Sequence, residues 1–316
     1  MEAADSRPGQ PLRPKVLYIV GKGRSGSTLL DIILGEIDGY FSTGQLRTLW
    51  TSGLINAYDC GCEVPVPKCE VWAPILEEAF GPDLDPRRIA DLQRAVLSWR
   101  SAPRVLRAAR RRSAGDWPEL HEYRRVLSTL YRAIATVTGA RVIVDSSKAP
   151  AHPGSVGLVP DIEPYVIHLV RDPRAVAYSW RRRKALPGRG NIKEMPRFGP
   201  VYSAASWTVR NLAAERTRRV LGRGGSMVVR YEDLVARPAE TVSAISGMVG
   251  EPGTLPFVDD RTVALSVNHT VSGNPIRTNV GEITLKADRE WAERMPPRDR
   301  TLVSVLTRPV RKRYGY

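Results

Sequence analysis

The sequence predicts an α/β fold, a P-loop-like parallel sheet flanked by helices, with a helical cap insertion. Three observations carry that expectation. Apolar, β-branched runs alternate with helical patterns along the chain, as parallel strands joined by crossover helices require. The first run, residues 16–20, breaks into the glycine-rich loop GKGRSGST and resumes as a helical segment. From 50 to 125 the alternation gives way to Pro-punctuated amphipathic helices carrying Trp72, Trp99 and Trp117, the cap.

Taken in order, strands are expected near 16–20, 142–144, 165–170 and 227–229, and helices around 29–35, 123–138, 174–184 and 204–220. The chain has 316 residues, 42% of them apolar, enough to bury one sizeable core as a single domain over 15–316. Residues 1–14, Pro-rich and polar with no apolar stretch, read as a loose tail rather than a signal peptide. No run is long and apolar enough to span a membrane, so a soluble, cytoplasmic protein is expected. The oligomeric state is not legible.

In the first loop Gly21, Gly23 and Gly26 let the backbone turn tightly around an anion. The N–H groups of Ser25, Gly26, Ser27 and Thr28 lie at a helix N-terminus, whose dipole favours negative charge. An ATPase loop, G-x-x-x-x-G-K-[ST], would place Lys where Ser27 stands. Here Arg24, inside the loop, supplies the cation instead. A second anion site is legible where the strand at 165–170 ends in Arg171. Asp172 can cap the following helix with Pro173 at N1, and Ser179 lies two turns along on the same face. The plain alternative is a surface Arg171 paired with Asp172 and a neutral helical serine.

Both segments resemble the sulfotransferases. Arg24-Ser25-Gly26-Ser27-Thr28 is similar to that family's loop for the 5′ end of 3′-phosphoadenosine-5′-phosphosulfate. A strand-end Arg with a Ser eight residues later, as in Arg171 and Ser179, matches its 3′-phosphate site. The resemblance, nearest to the bacterial, carbohydrate and tyrosylprotein branch, implies sulfuryl transfer from that nucleotide to a hydroxyl-bearing acceptor. Arg24 would then stabilise charge in the transition state. The segment HTVSGNPIRTNVGEITLKADREW resembles the family's final cofactor loop, placed at 268–290, and makes Ser272, Asn274, Arg277 and Lys286 candidate cofactor contacts. The strand end Asp145-Ser146-Ser147-Lys148 resembles the acceptor-lining loop, with Ser147 and Lys148 as candidates. In tyrosylprotein sulfotransferases a Glu corresponding to Gln45 takes the acceptor proton. Gln45 cannot, so another base such as His152, His269 or Asp145, an acceptor that ionises easily, or a weakened enzyme is implied.

Other classes remain in view. Asp145 at the end of an apolar strand also reads as a Walker B carboxylate, which keeps an ATP-dependent small-molecule kinase alive beside a non-catalytic nucleotide- or polyanion-binding protein. A net charge of +15 invites a nucleic-acid reading through Arg107, Arg110, Arg111 and Arg112 or through Arg181, Arg182, Arg183 and Lys184. These arginines sit at helical spacing among Leu and Ala with no nucleic-acid module, so solvated helix surface is expected. The three cysteines, Cys60, Cys62 and Cys69, form C-G-C-x6-C. A tetrahedral metal site would lack a fourth ligand nearby, so no metal is assigned, and a buried or disulfide-linked pair bracing the cap is expected.

Overall fold

In the computed structural model, residues 13–148, 152–183, 185, 194–221 and 225–316 are described. Strand β1 (Lys15–Gly21) is the middle of a five-stranded sheet. Its neighbours are β3 (Val142–Asp145) and β4 (Glu163–Val170), with β2 (Tyr40–Ser42) beyond β3 and β5 (Ser226–Arg230) beyond β4. Every pairing is parallel.

Both faces of this sheet are covered, which is why β1 and β4 read as unbroken apolar runs. Val16, Tyr18 and Val20 point into one core with Ile143 and Val166, while Leu17 and Ile19 point into the other with Val144, Ile167 and Leu169. The cap forms the first of these cores. It comprises α2 (Trp72–Phe80), α3 (Pro86–Leu97) and α4 (Ala102–Arg111), which merge with the long α5 (Pro118–Thr138). Trp50, Trp72 and Trp117 are buried in it. Trp99 is instead 58% exposed, with the Arg210 guanidinium 5.5 Å from its ring. Helix α1 (Ser27–Gly35) packs on the opposite face.

The four expected strands and four expected helices are all present, with shifted ends. After the short α6 (His152–Val156), α7 (Pro173–Arg181) stops short of 184, and Lys184 lies outside the described residues, as does the tail over 1–12. Helix α8 (Pro200–Leu221) starts earlier than the apolar pattern indicates. The sequence reading missed β2, only three residues long, and the separate antiparallel pair β6 (Thr262–Leu265) and β7 (Gly281–Thr284). Arg107, Arg110, Arg111 and Arg112 are exposed, as solvated helix surface should be. Among the described residues no helix is long and apolar enough to cross a membrane.

Candidate active site

The loop between β1 and α1 is built from unusual backbone angles. Gly21 has φ 140° and backs onto the Leu169 carbonyl of β4, where any Cβ would overlap. Arg24 at φ 75° and Gly26 at φ 90° are both left-handed, so the chain curls immediately ahead of α1. Holding a non-glycine residue there costs about 1 kcal/mol or more, which points to a demand on that side chain. The Arg24 guanidinium stacks 4.7 Å from the Trp180 ring. Its three nitrogens are buried without a hydrogen-bond partner among the described residues. Burial, helped by repulsion from Arg182, pushes its pKa down to about 10. A desolvated cation lacking a counter-ion is costly unless an anion joins it.

Arg171, at the end of β4, is turned to the same place. Its Nη1 donates to the Arg24 carbonyl at 3.2 Å, Nη2 pairs with Asp288 at 3.0 Å, and the guanidinium lies 4.3 Å from the Tyr231 ring. The alternative pairing with Asp172 does not form. Asp172 instead caps α7 through the Arg174 N–H at 2.8 Å and pairs with the Arg174 guanidinium at 2.5 Å.

These groups open into a cleft of about 380 Å³ at the carboxyl ends of the strands, where parallel sheets bind ligands. Gly23, Arg24, Gly26, Ser27, Thr28, Gln45, Lys148, Arg171, Ser179 and Asn274 line it, as the sequence led us to expect. Sequence reasoning missed Trp180, Tyr231, Asp288, Met195 and Pro196 on its walls. None of its described lining residues comes from 50–125. Lys148, at φ 58°, donates from Nζ to Ser27 Oγ at 2.6 Å. Burial pushes its pKa down to about 8, against the pull of Asp31. Asp31 is itself fully buried and pushed up to about 7, although the Ser146 and Ser42 hydroxyls donate to it at 2.6 and 2.7 Å.

Several candidates stand elsewhere. Asp145 is fully buried and accepts from the Tyr131 hydroxyl at 3.1 Å, the Ser147 N–H at 2.9 Å and the Ser147 hydroxyl, with His152 Nε2 at 3.3 Å. It does not line the cleft. His152 is buried too, its Nδ1 3.3 Å from the Tyr123 hydroxyl, and does not line the cleft. Ser147 is spent on Asp145 and on accepting the Arg47 N–H at 2.9 Å. Ser25 is buried and does not line the cleft.

In the C-terminal segment only Asn274 of the four candidates lines the cleft, its N–H donating to Thr28 Oγ1 at 3.1 Å. Ser272 is buried, and its carbonyl accepts the Gln45 N–H at 3.3 Å. Arg277 turns away from the cleft and donates to the carbonyls of Thr270 at 2.5 Å and Asp59 at 2.7 Å. Lys286 is exposed, and Asp288 reaches Arg171 instead. Of the two expected arrangements the buried one is found: Cys60, Cys62 and Cys69 are free thiols, with Cys60 and Cys69 buried. His269 does not line the cleft: its Nδ1 faces the thiols of Cys60 and Cys69, which brings a fourth possible metal-binding group beside the three cysteines.

The sequence model of the sulfotransferase family matches residues 16–254, a span that contains the phosphate loop, Gln45, Lys148, Arg171 and Ser179. The chain belongs to the sulfotransferase family. Its fold is similar to that of the sulfotransferase domain from the curacin biosynthetic pathway, with TM-score 0.50 and 17% identity over 92% of this chain and 96% of that one. The sulfotransferase domain of the Synechococcus PCC 7002 olefin synthase aligns over 98% of this chain and 97% of its own, at 17% identity and TM-score 0.44. The Alicyclobacillus acidocaldarius sulfotransferase aligns over 94% and 92%, at 15% identity and TM-score 0.39. Comparison with curated proteins gives no match. For this sulfotransferase-family chain the fold and the family's general chemistry, sulfuryl transfer, are therefore in hand.

Proposed function

We propose that the chain transfers a sulfuryl group from 3′-phosphoadenosine-5′-phosphosulfate to a hydroxyl of a small-molecule, glycan or lipid acceptor. The observation that carries this reading is Arg24, whose buried guanidinium has no hydrogen-bond partner among the described residues, in a left-handed curl at a helix N-terminus. The residues fit the nucleotide: the orphaned guanidinium and the amides of Ser27 and Thr28 suit its 5′ end, and Arg171 with Ser179 suits its 3′-phosphate. When bound, that nucleotide supplies the activated sulfuryl group. Arg24 and the loop amides stabilise the charge that develops as the S–O bond breaks. Gln45 hydrogen-bonds the acceptor. The kinase alternative is weakened because Asp145, its candidate Mg²⁺ ligand, is committed to internal hydrogen bonds.

Arg171→Ala is expected to weaken adenosine 3′,5′-bisphosphate by about 1.5 to 3 kcal/mol, the worth of a charge-assisted contact, while adenosine 5′-phosphate loses little. Calorimetry with both ligands checks it. Equal losses would mean general disturbance of the Arg24 carbonyl and Asp288 contacts instead.

The Lys148 amine gives a pH dependence with a definite sign. Its pKa in the free chain lies near 8, and a bound anion favours the ammonium, so bisphosphate affinity should fall as pH rises through 8. Lys148→Arg keeps its charge there and should flatten the titration. An unchanged profile in that variant would remove Lys148 from the binding set. The activity itself is tested by incubating the chain with the donor and a metabolite extract and following sulfate addition by mass spectrometry. Sulfated hydroxyl compounds are expected. Nucleotide binding without any product would leave a non-catalytic binding protein.

A further inference from the structure

Cys60, Cys62 and Cys69 lie in a tight loop that the catalytic reading does not use. The Cys60 N–H donates to the Val64 carbonyl at 2.8 Å and the Glu63 N–H returns to the Cys60 carbonyl at 3.0 Å, with Glu63 left-handed at φ 62°. His269 arrives from the far end of the chain. The three sulfurs and one His nitrogen lie within 4.8 Å of one another. Cys62 and Cys69 sulfurs are 3.7 Å apart, and His269 Nδ1 is 3.3 Å from the Cys69 sulfur and 4.0 Å from that of Cys60. A disulfide needs about 2.05 Å. A tetrahedron with zinc–sulfur bonds of about 2.3 Å and a zinc–nitrogen bond of about 2.0 Å has edges of roughly 3.5 to 3.8 Å.

We infer that Cys60, Cys62, Cys69 and His269 form a closed structural zinc site. Four protein ligands leave no open position, which separates it from a catalytic centre. Three soft sulfurs and an imidazole favour zinc over magnesium or calcium. Binding takes the thiolates, whose protons pass to solvent, and the neutral imidazole through Nδ1.

The site's place explains what it does. Three ligands stand at the entry to the cap and the fourth in the segment that borders the cleft. Around them the Trp72 indole N–H donates to the His269 carbonyl at 2.6 Å, and the Gly61 N–H to the Thr270 carbonyl at 2.9 Å. A few residues on, Ser272 and Asn274 meet Gln45 and Thr28. The metal thus staples the cleft-bordering segment to the cap, about two hundred residues away in sequence, and fixes the wall against which Gln45 is set.

The test is metal analysis of the reduced full-length chain after zinc loading and desalting, joined to cobalt titration of the chelator-stripped chain. One zinc per chain is expected, and cobalt should give intense tetrahedral bands with sulfur-to-cobalt charge transfer that zinc abolishes. His269→Ala and Cys62→Ser should each weaken zinc by at least about tenfold in competition with a chromophoric chelator. If either variant does not fold, the wild-type cobalt spectrum decides. A zinc-free chain, an octahedral cobalt spectrum, or a disulfide among these cysteines would overturn the assignment. None of these readouts depends on sulfuryl transfer.

Discussion

Arg24→Ala lowers kcat by roughly two to three orders of magnitude, the loss expected when a preorganised donor to a developing anion is removed. The size follows from the environment of the side chain. Its guanidinium is buried, stacked on Trp180, and without a hydrogen-bond partner among the described residues, so its attraction for an anion is little screened. Nucleotide affinity should fall less than turnover, because Arg171, Lys148 and the loop amides still hold the ground state. Arg24→Lys restores the charge but not the planar fork and should recover only part of the rate. Initial rates of sulfuryl transfer to a hydroxyl acceptor that the chain sulfates, with nucleotide affinity measured separately, check the split. A wild-type kcat in the Ala variant would remove the transition-state role.

The second large effect is a gain. His152 and Asp145 are buried in each other's company and His269 faces cysteines, so none of the candidate bases reaches the cleft that Gln45 lines. With none of the three lining the cleft, the proposed mechanism expects an acceptor that ionises readily, as a phenol or enol can, or slow turnover. Gln45→Glu supplies a carboxylate at the position where tyrosylprotein sulfotransferases carry one. A general base contributes about 10²- to 10⁴-fold, so the variant should accelerate transfer to an aliphatic alcohol by up to about that lower figure and transfer to a phenol hardly at all. A higher KM for the donor is expected as well, since the new charge stands in the same cleft as the donor's phosphates. Rates across pH on paired alcohol and phenol acceptors measure this. No gain on the alcohol, or equal wild-type rates on both acceptor types, would contradict the acidic-acceptor reading.

The parts of the site that were legible in sequence are the contiguous ones. The loop from Gly21 to Thr28 and the pair Arg171 and Ser179 each follow one strand, so local pattern fixes their direction. Contacts that depend on distant segments were not legible. His269 completes the cysteine cluster across 200 residues from Cys69, and Asp288 rather than Lys286 meets Arg171. Asp145 was expected at the crevice because it ends a strand, yet Tyr131, Ser147 and His152 enclose it from neighbouring helix and loop. Arg277 carried the right charge for a cofactor contact, but its fork closes on the Thr270 and Asp59 carbonyls. In the fold, β2 escaped notice because three residues carry no measurable periodicity.

As proposed, this cleft takes a nucleotide with a 3′-phosphate and needs no divalent cation to hold it. Thermal denaturation with adenosine 3′,5′-bisphosphate in the presence of a chelator tests it most directly, beside the same scan with Mg-ATP. Ligand that binds only the folded chain stabilises it by about 2.7 kcal/mol at a hundred times its Kd. A clear rise in Tm is expected with the bisphosphate alone and a smaller one with Mg-ATP; a larger rise with Mg-ATP, or none with the bisphosphate, would refute the assignment.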